Sequence, residues 1–132
     1  MQAICQCGQL SVTLPGPSSV IVACHCRYCQ RRSGSAFGAM AYYPDDRVTI
    51  SGNSVRYVRP TDSGGAFETF FCATCGSTLY ARASKHPNLV GVAVGAMADP
   101  ESPAPVRSVW EESRHAWVSL AEPVEHYPRG RT

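Results

Sequence analysis

No stretch of this sequence approaches the ~20 consecutive apolar residues that cross a bilayer as a helix, so no membrane span is expected. Charge is also scarce: Asp, Glu, Lys and Arg make up 17% of the 132 residues, and the formal net charge is only +2. Met1-Gln2-Ala3-Ile4-Cys5 lacks the charged-then-apolar order of a secretory leader, which leads to the expectation of a cytoplasmic location. Repeats, linker-like composition shifts and a β-α-β alternation are all missing. One domain over residues 1–132 is therefore expected, with a 44% hydrophobic content that fills one modest core. Ser33, Ser35 and Ser77 lack the His and Asp neighbours that mark a serine nucleophile. Complete disulfide pairing is excluded by parity, since the chain has seven cysteines.

Those seven fall into three tight groups: Cys5 with Cys7, Cys24 with Cys26 and Cys29, and Cys72 with Cys75. Pairs this close are poor long-range staples but routine zinc ligands. A structural zinc takes four thiolates in a closed tetrahedron, whereas a reactive one keeps three protein ligands and an open position. A C-x-C on an extended strand points both sulfurs to one face, and Cys72-Ala73-Thr74-Cys75-Gly76 is a C-x-x-C turn ending in glycine. Each supplies two ligands. The run Cys24-His25-Cys26-Arg27-Tyr28-Cys29 holds three by itself. The preferred partition is two Zn²⁺ ions, one closed by Cys5, Cys7, Cys72 and Cys75 and one held open by Cys24, Cys26 and Cys29. An alternative joins Cys5 and Cys7 to two of the middle trio and leaves Cys72 and Cys75 as a redox pair. His25 alternates away from its cysteine neighbours and reads as a supporting or surface group, while His86, His115 and His126 read as surface or packing residues.

Zinc changes the charge. Seven thiolates against two dications bring the formal +2 down to about −1, which argues against a nucleic-acid partner bound by bulk electrostatics. Thiolate ligands also need a reducing compartment.

The pattern along the chain is predominantly β. Gln9 to Leu14 alternates polar and apolar before a Pro15-Gly16-Pro17 turn, Val20 to Ala23 is a short β-branched run, and Ala36 to Tyr43 is extended. Val48-Thr49-Ile50 and Val55 to Val58 around Ser51-Gly52-Asn53 predict a hairpin. Phe67 to Phe71 carries the last cysteine pair, Leu89 to Ala98 reads as a buried strand, Asp99 to Pro105 as a loop, and Arg27 to Arg32 as a helical turn.

Cys5-Gln6-Cys7-Gly8, Cys24-His25-Cys26-x-x-Cys29-x-Arg31-x-Ser33-Gly34, Phe71-Cys72-x-x-Cys75-Gly76-Ser77 and Glu112-Ser113-Arg114-x-x-Trp117 together resemble the glutathione-dependent formaldehyde-activating enzyme family, to which centromere protein V belongs. The resemblance runs from about residue 3 to about residue 127. It implies an all-β, β-tent zinc fold of antiparallel sheets, a four-cysteine zinc, a second zinc on the middle trio and S-(hydroxymethyl)glutathione synthase activity.

Three thiolates make an electron-rich zinc, better suited to holding an incoming thiol as thiolate than to acidifying water. This points to a carbon–sulfur lyase or synthase that acts on a thiol adduct of a small aldehyde, with Cys24, Cys26 and Cys29 at the catalytic centre. Glutathione brings two carboxylates, for which Arg27, Arg31, Arg32 and Arg114 are the candidate anchors. Trp117 divides between core packing and lining the cleft. The competing function class is a non-enzymatic zinc module that binds a protein or nucleic acid.

Overall fold

The computed structural model describes residues 1–131; residue 132, the end of the span expected to form one domain, lies outside the described residues. The architecture is all-β with a single α-helix and two sheets. The smaller sheet has the order β1 (Gln2–Ile4), β2 (Ser11–Thr13), β5 (Thr49–Ser51). The larger runs from β11 (Glu125–His126) through β10 (Arg107–Val109), β3 (Ile21–Cys24), β4 (Gly38–Pro44), β9 (Leu89–Ala93), β8 (Thr78–Ala83) and β7 (Ala66–Cys72) to β6 (Ser54–Pro60). Pairing is antiparallel in the small sheet and from β3 to β6 in the large one. The expected antiparallel sheets form, with one edge that adds parallel pairs, where β10 joins β3 and β11 joins β10. Parallel neighbours need long connections, and here residues 25–106 separate β3 from β10.

The alternation read at Gln9 to Leu14 places Leu10, Val12 and Leu14 inward, where they meet Ile21, Tyr43, Leu79, Val90 and Val92 in one core. Cys5 and Cys72 are members of that core. The expected hairpin around Gly52 does not form. β5 pairs with β2 in the small sheet and β6 with β7 in the large one, so Ser51-Gly52-Asn53 is where the chain changes sheets. Gly52 has φ +105°, and a Cβ there would collide with the Gln9 carbonyl. Gln9 then fixes the crossing: its Oε1 accepts from the Asn53 N–H (2.9 Å) and its Nε2 donates to the Asn53 carbonyl (2.6 Å).

The buried segment from Leu89 is a strand only to Ala93, after which Val94–Met97 tightens into a 3-10 turn. The helical turn is α1 (Arg27–Ser33), begun by Cys26 and ended by Gly34 in the left-handed conformation. No reading of the sequence singled out the strand Thr78–Ala83. Among the described residues, no helix is long and apolar enough to cross a membrane.

Candidate metal centres and the adjoining cavity

Two separate sulfur clusters form, and they divide the cysteines four and three. In each, the Sγ atoms lie within 4.8 Å of one another: Cys5, Cys7, Cys72 and Cys75 in the first, Cys24, Cys26 and Cys29 in the second. All seven thiols are free, so neither cluster is a disulfide. The mixed set with a Cys72–Cys75 redox pair is therefore not the arrangement adopted.

The four-sulfur cluster sits where the two sheets meet. Cys5 follows β1 of the small sheet, and Cys72 ends β7 of the large one beside a register shift at Phe70 and Phe71. Cys7 does not continue an extended strand. The C-x-C segment curls into a turn in which the Gly8 N–H bonds to the Cys5 carbonyl (3.1 Å), and this turn brings Cys5 and Cys7 Sγ to 3.6 Å. Cys7 and Cys72 Sγ are also 3.6 Å apart. Four sulfurs 2.3 Å from a central zinc in a tetrahedron would be about 3.8 Å apart, so the spacing fits that ion.

The surroundings fit thiolates too. Cys72 Sγ accepts from Gln9 Nε2 (3.0 Å) and from the Thr74 and Cys75 N–H groups (3.3 and 3.4 Å), and Cys5 Sγ accepts from the Leu10 N–H (3.3 Å). The Ser77 hydroxyl, 3.4 Å from Cys75 Sγ, leads the interactions that hold the Cys75 thiol down to about 5. Gly76, at φ +82°, closes the C-x-x-C turn with its N–H on the Cys72 carbonyl (3.0 Å), the role its position in the motif predicts. Gln9 carried no mark in the sequence, yet it joins the sheet crossing to the cluster.

The three-sulfur cluster is built across the β3–α1 junction: Cys24 ends β3, Cys26 caps α1 and accepts the Cys29 N–H (3.3 Å), and Cys29 lies within the helix. Hydrogen bonds from Cys24 and Cys29 pull the Cys26 thiol down to about 2, and the same contacts push Cys24 up. Tyr42 lies close enough to feel Cys24 and Cys29, and burial pushes its phenol up to about 12, so it keeps its proton.

No histidine belongs to either cluster among the described residues. His25 is not a surface group. It is fully buried, stacks obliquely on Phe37 (5.4 Å between centroids) and bonds through Nε2 to Ser108 Oγ of β10 (3.0 Å). The backbone N–H of His25 bonds to the Val109 carbonyl (3.0 Å), so β10 braces the segment that carries the trio.

A cavity of about 550 Å³ is lined by Tyr28, Arg31 and Arg32 of α1 and by residues of the large sheet, including Tyr57, Arg59 and Phe71. The volume falls in the ~300–1,000 Å³ range of small-molecule sites. No cysteine lines it, but it neighbours the trio through Arg32, whose guanidinium and the Cys29 side chain both close on Gly38. Arg32 lies over Gly38, where a Cβ would strike its guanidinium.

Of the arginines singled out in the sequence, Arg31 and Arg32 line this cavity, while Arg27 and Arg114 do not. Arg114 donates instead to the Val118 carbonyl (2.9 Å). Trp117 is neither core nor cavity wall: it is 76% exposed beside His115.

A family model described as glutathione-dependent formaldehyde-activating enzyme matches residues 1–113. The chain belongs to the glutathione-dependent formaldehyde-activating enzyme family. Relatives named for the same family in Talaromyces marneffei and Penicillium rubens are each 30% identical over 84 residues, which is 63% of this chain and 44% of theirs. One from Podospora anserina is 25% identical over 88 residues, 66% of this chain and 41% of its own. The chain thus spans less than half the length of the curated relatives it matches. A solved Rhodobacter sphaeroides protein shares the fold, with a TM-score of 0.57 at 24% identity over 73% of this chain and 86% of that one.

Proposed function

We propose that this protein is a zinc-dependent carbon–sulfur lyase or synthase that acts on the thiol adduct of a small aldehyde, in the manner of an S-(hydroxymethyl)glutathione synthase. The observation that carries the reading is the three-sulfur cluster beside a cavity lined by three arginines. Cys5, Cys7, Cys72 and Cys75 would hold a structural zinc. Cys24, Cys26 and Cys29 would hold a second with one position left for substrate. Bound there, zinc would supply the Lewis acidity that favours the thiolate form of an incoming thiol.

The reaction is an addition across a carbonyl. A C–S bond forms, the C=O π bond opens, and the proton lost from sulfur ends on oxygen; the lyase direction reverses each change. Oxidation states balance without a redox cofactor. The chain's part is to orient the thiol. Arg31 and Arg32 would take carboxylate, and Tyr28, Tyr57 and Phe71 would offer apolar surface to the remainder of the ligand. Glutathione and formaldehyde are the substrates that the family name suggests. The β-tent architecture, a single domain and a reducing cytoplasmic setting belong to the same reading.

Exchange spectroscopy on the zinc-loaded protein tests it. Interconversion of formaldehyde hydrate with its glutathione adduct should exceed the protein-free rate by about tenfold or more, roughly 1.4 kcal/mol of barrier. No acceleration with any small thiol and aldehyde would leave the protein a zinc-binding module.

A further inference from the structure

Arg59 lies on β6, far along the chain from the cysteine trio, yet its guanidinium stands over the ring of Tyr28 on α1, 4.5 Å from the centroid, and 4.9 Å from that of Phe67 on β7. It therefore ties the sheet wall of the cavity to the helix wall. Aromatic rings engage the face of a guanidinium and leave its N–H edge for in-plane acceptors; the Nη1 of Arg59 donates to the Pro60 carbonyl (3.4 Å), which leaves the rest of the edge for a ligand.

Of the eleven arginines, four pair with a carboxylate among the described residues and seven do not. Arg56, Arg82, Arg107 and Arg129 each reach a carboxylate. The three that line the cavity, Arg31, Arg32 and Arg59, reach none among the described residues. A zinc held by three thiolates carries one net negative charge, which offsets only one of these cations. Two positive charges are left lining a half-open cavity with no carboxylate partner, a field that attracts an anionic ligand.

Building on the function proposed above, we propose that Arg59 is a specificity-determining residue: it anchors one carboxylate of the thiol ligand from the sheet side of the cavity, while Arg31 and Arg32 take the other from the helix side. Tyr28 and Phe67 act as positioning residues that hold the guanidinium face. Selectivity for a dicarboxylate thiol then arises from two walls brought together by folding.

Calorimetric titration of the zinc-loaded full chain tests this with glutathione, its two half-blocked forms, each esterified at one carboxylate, and mercaptoethanol. Arg59→Gln should weaken glutathione binding about tenfold and leave mercaptoethanol within about twofold. One half-blocked form should bind the unaltered protein and Arg59→Gln equally, which identifies the carboxylate that Arg59 holds. Arg59→Lys keeps the charge and loses the two-pronged edge, so it should fall between the two and serves if glutamine disturbs the packing. Arg56→Gln, on the same strand and paired with Glu68, should change nothing. If the unaltered protein prefers glutathione and Arg59→Gln and Arg59→Lys keep that preference in full, the Arg59 assignment is wrong and the proposed function stands. If the unaltered protein does not distinguish glutathione from mercaptoethanol, the anionic-thiol reading fails, and the role of Arg59 with it.

Discussion

His25 Nε2 lies 3.0 Å from Ser108 Oγ, and Ser108 gives its own proton to Glu111 Oε2 at 2.8 Å. Because the serine donates to the carboxylate, it accepts from the imidazole, which fixes the Nε2–H tautomer and leaves Nδ1 as a buried lone pair without a partner. Burial also holds the His25 pKa below its ordinary value, so the ring is neutral. The middle residue of the C-H-C run thus anchors the cysteine trio to β10.

Removing the serine hydroxyl should expose the worth of that anchor. Ser108→Ala leaves both ring nitrogens of His25 buried and unpaired, at a cost of about 1–3 kcal/mol. Urea unfolding followed by circular dichroism measures it. An unchanged midpoint would mean that His25 is held by Phe37 and the backbone alone.

The two clusters should separate by consequence. Cys72→Ala breaks the cluster that joins the two sheets and should cost more than ~3 kcal/mol, a fall of roughly 10 °C or more in Tm, with loss of one metal ion. Cys26→Ser should remain folded, lose the other ion and lose any thiol-adduct chemistry. Metal analysis beside thermal unfolding distinguishes them. A Cys72→Ala protein that kept two tightly held ions and an unchanged transition would contradict the closed-site assignment.

Gln9 gives a subtler test, since it donates to Cys72 Sγ and also bonds to both backbone groups of Asn53. Gln9→Leu should loosen the four-sulfur cluster's metal by roughly 10–100-fold, the usual effect of losing a hydrogen bond to a ligand atom. Competition with a chelator reads this directly. Equal retention by variant and parent would show that the backbone amides on Cys72 suffice.

His126 stands between two carboxylates, with Nδ1 2.8 Å from Glu111 Oε2 and Nε2 2.6 Å from Glu122 Oε1. The hydrogen bond to Glu111, followed by that to Glu122, raises its pKa above the ordinary value. A raised pKa in the folded state contributes stability that is fully present below the unfolded value of about 6.5 and is lost as pH rises through the folded value. Stability of the parent should therefore decline over that interval, and His126→Gln should flatten the decline. Denaturation midpoints taken across the neutral range check the slope; identical slopes would remove His126 from the account.

The cysteine groups could be read from the sequence because each is local. Two or three sulfurs within six residues lie close enough to share an ion, so spacing alone marked the candidate ligands and parity excluded complete disulfide pairing. Leu10, Val12 and Leu14 were legible for a similar reason, as alternation fixes which face is buried whatever the partner strand. Gly52 shows where local reading stops. A glycine between two β-branched runs has the form of a hairpin, but β5 takes its hydrogen bonds from β2 and β6 takes its own from β7, and strand partners so distant in sequence leave no local mark. Gln9, Ser108 and Arg59 had no local mark at all. A glutamine, a serine and an arginine are ordinary surface residues by type, and each takes its role from residues 44 to 83 positions distant or from a ring on another element. Sequence determined the chemistry of the candidate metal ligands, because that chemistry resides in the residue type. Only the tertiary structure decided which polar groups support those ligands and which cations face the cavity, because hydrogen bonds and electrostatic fields depend on distance in space.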